Sequence, residues 1–280
     1  MRKLLFIALL LFLPVFSVYA KMPAKVLIVP GHDDESWGTE FLGVKEADMT
    51  VKLGLMLYDL LKKDKNFEVL ITRDWQGYKK EFIDYFENNG DHIREFIDSS
   101  KEKFTSQISD GKIYETEWVN HNYASNSTAY KLYGINKWAN ENKIDAVIHI
   151  HFNDYPRRRA YERGDYKGFA IYVPETQLNN AEQSSSLGFF IFNSLFKNYY
   201  VSNSEKESGG VVPDQSLIAL GSNNSLNNRS VLIEYGYIYE RIFSTFFKRE
   251  TQMKRMANRT YEGIKKYFEF LAQKPRKIGA

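Results

Sequence analysis

Residues Ile144 to Asn153 read IDAVIHIHFN, an apolar and β-branched run that ends in two histidines and an asparagine. Such a run, without polar alternation, marks a strand covered on both faces. Four further stretches share the pattern: Ala24 to Val29 (AKVLIV), Phe67 to Thr72 (FEVLIT), Gly168 to Val173 (GFAIYV) and Ser230 to Glu234 (SVLIE). Helical patterns separate them at Lys45 to Lys63, Ser127 to Asn142, Ser184 to Phe196 and Gln252 to Leu271. In the first of these, Val51, Leu55, Tyr58 and Leu61 share one face. Strands alternating with amphipathic helices predict an α/β fold whose sheet is flanked by helices on both faces. In such sheets ligands sit at the carboxyl ends of the strands, so the polar residues found there matter most.

With 43% hydrophobic and 15% aromatic residues in 280, the chain can bury a sizeable core, which excludes disorder, a collagen-like repeat and a coiled-coil rod. It has no cysteine, which excludes a thiol nucleophile, a disulfide framework, a cysteine-type zinc finger and an iron–sulfur centre. Arg2 and Lys3 precede an apolar run from Leu4 to Val18, and Ala20 closes a site of the kind that signal peptidase accepts. The run is shorter than the roughly 20 residues of a bilayer span. Residues 1–20 are therefore expected to be a signal peptide, and 21–280 a single exported domain acting in the periplasm, the cell envelope or outside the cell. Removing Arg2 and Lys3 takes the formal charge from +3 to +1, which gives no pull toward nucleic acid. A polar, aromatic-rich stretch from Trp75 to Ala124 carries its own helical pattern (Ile83, Phe86, Ile93, Phe96, Ile97) and reads as a helical insertion, either a lid or a packed flank.

Three strand ends carry reactive groups. The first strand runs into Pro30-Gly31-His32, the third into His149-Ile150-His151, and the last ends at Glu234. Side chains two apart on a strand share a face, so His149 and His151 point the same way. Glu46 falls in the first turn of the helix after the first strand, where a carboxylate also favours the positive end of the helix dipole. One histidine from each of two strands plus a carboxylate make a three-ligand set suited to Zn2+, with a position left for water. Glu234, next to the apolar SVLI, is a candidate general base, because a carboxylate there needs a partner or a metal.

In order along the chain, Val29-Pro30-Gly31-His32, Gly43-Val44-Lys45-Glu46-Ala47-Asp48, Thr72-Arg73-Asp74, Ile148-His149-Ile150-His151-Phe152-Asn153 and Leu232-Ile233-Glu234-Tyr235-Gly236-Tyr237 resemble the motif series of the zinc-dependent N-acetylmuramoyl-L-alanine amidases. The resemblance implies a single α/β domain with a mixed, mostly parallel central sheet. It implies zinc ligands at His32, Glu46 and His151, a catalytic Glu234, and a peptidoglycan substrate cut at the amide between N-acetylmuramic acid and L-alanine. His151 matches the ligand of the family because Asn153 follows it, whereas His149 falls where the family has a small polar residue. The implied protein is a monomer, open to control by an activator protein. A zinc peptidase or deacetylase acting on another wall carbonyl, or a non-catalytic wall-binding domain, are the alternatives. Asp33, Asp34 and Glu35 stand where the family favours glycines and are read as a solvated loop rather than a second cation site. His92 and His121 are read as surface residues. Arg157, Arg158, Arg159 and Arg163 offer guanidinium forks to the carboxylates of a stem peptide.

Overall fold

The apolar runs become buried strands of one sheet. The computed structural model describes residues 22–116, 124–155 and 157–273; residues 1–20, expected to be a signal peptide, together with His121, Pro156 and the basic stretch 274–277, lie outside them. Strand β1 (Ala24–Pro30) is followed by a hairpin, β2 (Glu40–Phe41) and β3 (Val44–Lys45), and by helix α1 (Glu46–Lys62). Next come β4 (Phe67–Ile71), the hairpin β5 (Arg73–Asp74) and β6 (Gly77–Tyr78), and helices α2 (Lys80–Asn88), α3 (Gly90–Ser109) and α4 (Asn126–Glu141). The last part holds β7 (Ala146–Asn153), β8 (Ala170–Pro174), α5 (Ala181–Leu195), β9 (Val211–Asp214), β10 (Arg229–Tyr237) and α6 (Phe246–Gln273).

Six strands pair in the order β4-β1-β7-β10-β8-β9. All neighbours are parallel except β8, which runs antiparallel to β10. The sheet is therefore mixed and mostly parallel, as expected. From Val26 to Pro30 every residue is buried, which explains the missing polar alternation. Val26, Ile28, Ile148 and Ile150 meet Met49, Leu53 and Leu57 of α1 in a core shared with α5 and α6. On the other face, Leu27, Val29 and Val147 meet Ile135, Trp138 and Ala139 of α4 and Phe82 of α2. Among the described residues the insertion is thus a packed flank: the Phe82 and Trp138 rings lie 4.8 Å apart, and Tyr130 donates to the Phe86 carbonyl at 2.7 Å.

Three differences from the sequence reading have physical causes. Strand β9 is additional; its short Val211-Val212 run stops at Pro213, which an edge strand tolerates because its N–H side need not pair. Helix α4 starts at Asn126 because the Ser125 side chain accepts from the Thr128 amide, so Ser127 lies inside the helix. Helix α6 starts at Phe246, ahead of its apolar stripe, where Thr245 accepts from the Lys248 amide at 3.3 Å. No helix among the described residues is long and apolar enough to cross a membrane.

Just beyond β10, Glu240 accepts the amides of Tyr237 (2.8 Å) and Gly168 (3.0 Å) on one oxygen. Burial pushes its carboxyl above the ordinary value in spite of these two bonds. The folded chain then holds this proton more tightly than the unfolded chain. Its stabilising effect is full below the unfolded value, about 4.3, and is lost as pH rises through the higher folded value. Glu240→Gln keeps an oxygen for both amides and is expected to melt above the parent at pH 8, with no difference at pH 4. Thermal unfolding at the two pH values checks this.

Candidate metal centre

The carboxyl ends of β1, β7 and β10 lie side by side, because these strands are neighbours in the sheet. His32 follows β1 by two residues, Glu46 opens α1, and His151 lies near the end of β7. Ligand atoms of these three residues all lie within 4.8 Å of one another. Glu46 sits between the imidazoles. Its Oε2 is 3.1 Å from His32 Nε2, and its Oε1 is 3.2 Å from His151 Nδ1. Backbone amides fix the same carboxylate: Phe152 donates to Oε1 at 3.0 Å and Thr39 to Oε2 at 3.2 Å. Burial opposes ionisation of Glu46, yet the two histidines win and hold it well below the usual carboxylate range. Burial likewise opposes the charged form of His32, and the charge and hydrogen bond of Glu46 outweigh it, so its pKa is raised.

The chemistry of the donors fits a cation. His32 Nδ1 lies 3.2 Å from the Ser36 carbonyl, an acceptor only, so Nδ1 carries the hydrogen and a neutral ring turns the Nε2 lone pair toward Glu46 Oε2. Two acceptors face to face need a proton or a metal between them. The backbone leaves room for little else. A Cβ on Gly31 would come within 2.3 Å of the His151 ring, and one on Gly38, whose φ is +74°, within 2.4 Å of Glu46. His32 itself holds a left-handed φ of 62°, strain of the kind that gathers at functional sites.

Glu234 and His151 are register partners on β10 and β7, so their side chains project from adjacent strands onto the same face. The Oε2 atom of Glu234 is buried with no hydrogen-bond partner. Burial first, and then the charges of Glu46 and Glu207, raise its pKa well above the ordinary carboxylate value. His149 lies one step deeper on the same face of β7 and is fully buried. Burial first, and then His151, push it down to about 3 against a backbone hydrogen bond to Ala219, so it stays neutral. It is a core neighbour of the cluster, outside the triplet of His32, Glu46 and His151.

Arg73 ties the backbone beside two of these residues. It is buried, and one guanidinium donates to the carbonyls of Pro30 (3.3 Å), Gly31 (2.9 Å) and Ala47 (3.0 Å) and to Thr50 Oγ1 (3.2 Å). The residue before His32 and the residue after Glu46 are thus joined through one fork. Arg73→Lys keeps the charge and loses the fork. It is expected to weaken zinc binding by about 10–100-fold, the usual consequence of disturbing the groups that orient metal ligands; competitive titration against a zinc chelator checks this.

The loop of Asp33, Asp34 and Glu35 is solvated as read, with Asp34 and Glu35 exposed, and Asp33 and Glu35 both accept from Lys131 of α4 at 2.8 Å, which pairs them with a cation of the chain itself. One sequence expectation changes. Of the arginine group, Arg157 is committed to its own fold, whereas Arg158, Arg159 and Arg163 stay exposed. Arg157 binds both oxygens of Asp154 (3.1 and 3.0 Å) and the Glu40 carbonyl, and it stacks on Phe41 and Tyr239. Arg163 donates to the Tyr239 carbonyl, and Arg159 to the Tyr161 hydroxyl. His92 is exposed as expected, beside Glu95.

Residues 26–266 match the family model described as N-acetylmuramoyl-L-alanine amidase. A putative N-acetylmuramoyl-L-alanine amidase of Buchnera aphidicola (subspecies Schizaphis graminum) is 25% identical over 256 residues, covering 87% of this chain and 96% of the relative. Among solved structures, the amidase Ami1 from Mycobacterium smegmatis superposes with a TM-score of 0.58 at 16% identity, over 90% of this chain and all of the other. The CwlD amidase from Clostridioides difficile, solved in complex with the GerS lipoprotein, gives 0.57 at 18% identity, over 88% of this chain and 99% of that one. At such identities the structures establish a shared fold.

Proposed function

The chain belongs to the N-acetylmuramoyl-L-alanine amidase family, and from that membership we propose that it is a zinc-dependent hydrolase of peptidoglycan. The bond cut is the amide between N-acetylmuramic acid and L-alanine. The observation that carries this reading is the convergence of His32, Glu46 and His151 beside Glu234, from four separate parts of the chain, at the carboxyl ends of the central strands.

His32, Glu46 and His151 hold the ion. Bound there, zinc supplies a Lewis acid for the scissile carbonyl and lowers the pKa of water. Two neutral imidazoles and one carboxylate leave the centre with a net positive charge, which favours the oxyanion that develops on the substrate. Glu234 takes the proton from the attacking water and passes it to the amine of L-alanine as the C–N bond breaks. Exposed Arg158 offers a fork to a carboxylate of the stem peptide.

The same reading takes residues 1–20 as a signal peptide and 21–280 as the catalytic domain. It places the protein in the periplasm, the cell envelope or outside the cell, as a monomer that an activator protein can control. Mass spectrometry of purified peptidoglycan, digested with and without a chelator, tests the proposal. Peptides with a free L-alanine amino terminus, absent when the metal is removed, are the expected products. Release of acetate in their place would make the protein a deacetylase.

A further inference from the structure

A second carboxylate, outside the metal centre, holds the strand ends on which His151 and Glu234 are mounted. The ladder between β7 and β10 runs in register from Ala146 and Arg229 to His151 and Glu234, then shifts, and resumes at Asn153 and Tyr237. Two steps on β7 thus match three on β10. A bulge of this kind interrupts the backbone pairing that would otherwise fix the spacing of the strands. It falls directly after the register pair formed by the proposed base and a proposed ligand. The buried oxygen of Glu234 has no hydrogen bond to hold it, so the carboxylate sits where the strand puts it.

Glu207 spans this irregular place. It lies in a single turn of 3-10 helix (Glu205–Glu207) and is 3% exposed. Its Oε1 accepts from Asn153 Nδ2 at 2.7 Å and from the Tyr172 hydroxyl at 2.6 Å. Its Oε2 accepts from the Tyr237 hydroxyl at 2.8 Å and from the Ser202 hydroxyl. Asn153, Tyr237 and Tyr172 belong to β7, β10 and β8, so one side chain joins the ends of β7 and β10 beyond the bulge to the middle of β8, where Tyr172 pairs with Leu232. Four donors converge on four lone-pair positions, a pattern that a carboxylate satisfies and an amide cannot, since an amide has one oxygen and turns its NH2 toward donors.

We propose that Glu207 is a positioning residue that sets the separation of Glu234 from His151 by locking the ends of β7 and β10 to each other and to the middle of β8. It makes no hydrogen bond to His32, Glu46, His151 or Glu234; it holds Asn153 and Tyr237, and because its charge also bears on Glu234, Tyr237→Phe, which keeps that charge, isolates the positioning role. The inference rests on the roles proposed above for His151 and Glu234. Glu207→Gln breaks the cluster with little change in volume, and Tyr237→Phe removes one donor while keeping the ring in the core.

Both variants are expected to bind one zinc per chain and to lower kcat on a soluble muropeptide by about 10–100-fold, with KM changed less than about twofold. The double variant should be no slower than the slower single variant, because both substitutions break one linkage. Hydrogen exchange supplies a readout independent of chemistry: in Glu207→Gln, amides of residues 153–155 and 237–239 should lose protection while those of β1 keep theirs. An unchanged kcat per bound zinc in either single variant would overturn the proposal, as would multiplying losses in the double variant or unaltered exchange at both strand ends. Peptide release that survives Glu234→Gln counts instead against the functional assignment, and the exchange result still decides whether Glu207 locks the strands.

Discussion

Glu234→Gln protein is expected to fold, to bind one zinc per chain, and to release peptide from peptidoglycan at least about a thousandfold more slowly than the parent. The amide matches the carboxylate in shape but cannot take a proton, and loss of a positioned general base ordinarily removes about 10²–10⁴ of the rate. Stability should not suffer. Glu234 has a buried oxygen without a partner and a pKa raised by burial, so the parent carries an uncompensated polar atom there, and a neutral amide is no worse placed. Metal analysis, thermal unfolding and product release on the same preparation check the three parts together. Wall-lytic activity in pure Glu234→Gln protein would remove this residue from its role.

His32→Ala should fail differently, by losing metal and activity together. The substitution leaves Glu46 and His151 as a two-ligand remnant. It also removes the imidazole whose charge helps keep the buried Glu46 ionised. Zinc stabilises only the state that binds it, by about 4 kcal/mol when the free ion stands a thousandfold above its Kd. The parent should therefore melt lower after chelation and recover on zinc addition, whereas His32→Ala should melt at one temperature under all three conditions. A zinc-dependent melting temperature in His32→Ala would show that the ion is held elsewhere.

Much of the fold was legible because its central strands are covered on both faces. Val26 to Val29 and Ala146 to Ile150 leave no polar residue to confuse the period except His149, and that histidine is itself buried and neutral. The candidate site was legible where it sits at element boundaries. His32 follows a strand, Glu46 opens a helix with an apolar stripe, and Glu234 ends an apolar run. What escaped the sequence were relations between side chains far apart in the chain. The partners of Glu207 come from positions 153, 172, 202 and 237, and no local period marks a polar turn as a hub. Arg157 read as a fork free for a stem-peptide carboxylate because its two rings, Phe41 and Tyr239, are supplied by distant segments. Asp33 and Glu35 find Lys131 across about a hundred residues of chain, past an insertion whose packing composition alone left open.

The strand order β4-β1-β7-β10 has a consequence for when the protein becomes competent. β1, β7 and β10 lie shoulder to shoulder, yet their first residues are 24, 146 and 229. A nascent chain that stops short of residue 229 lacks Glu234 and the strand that carries it, however well its earlier helices have formed. Pairings over such sequence distances close late in folding. A fragment that lacks β10 cannot set Glu234 beside His151, so the candidate site is complete only once that late strand has been made.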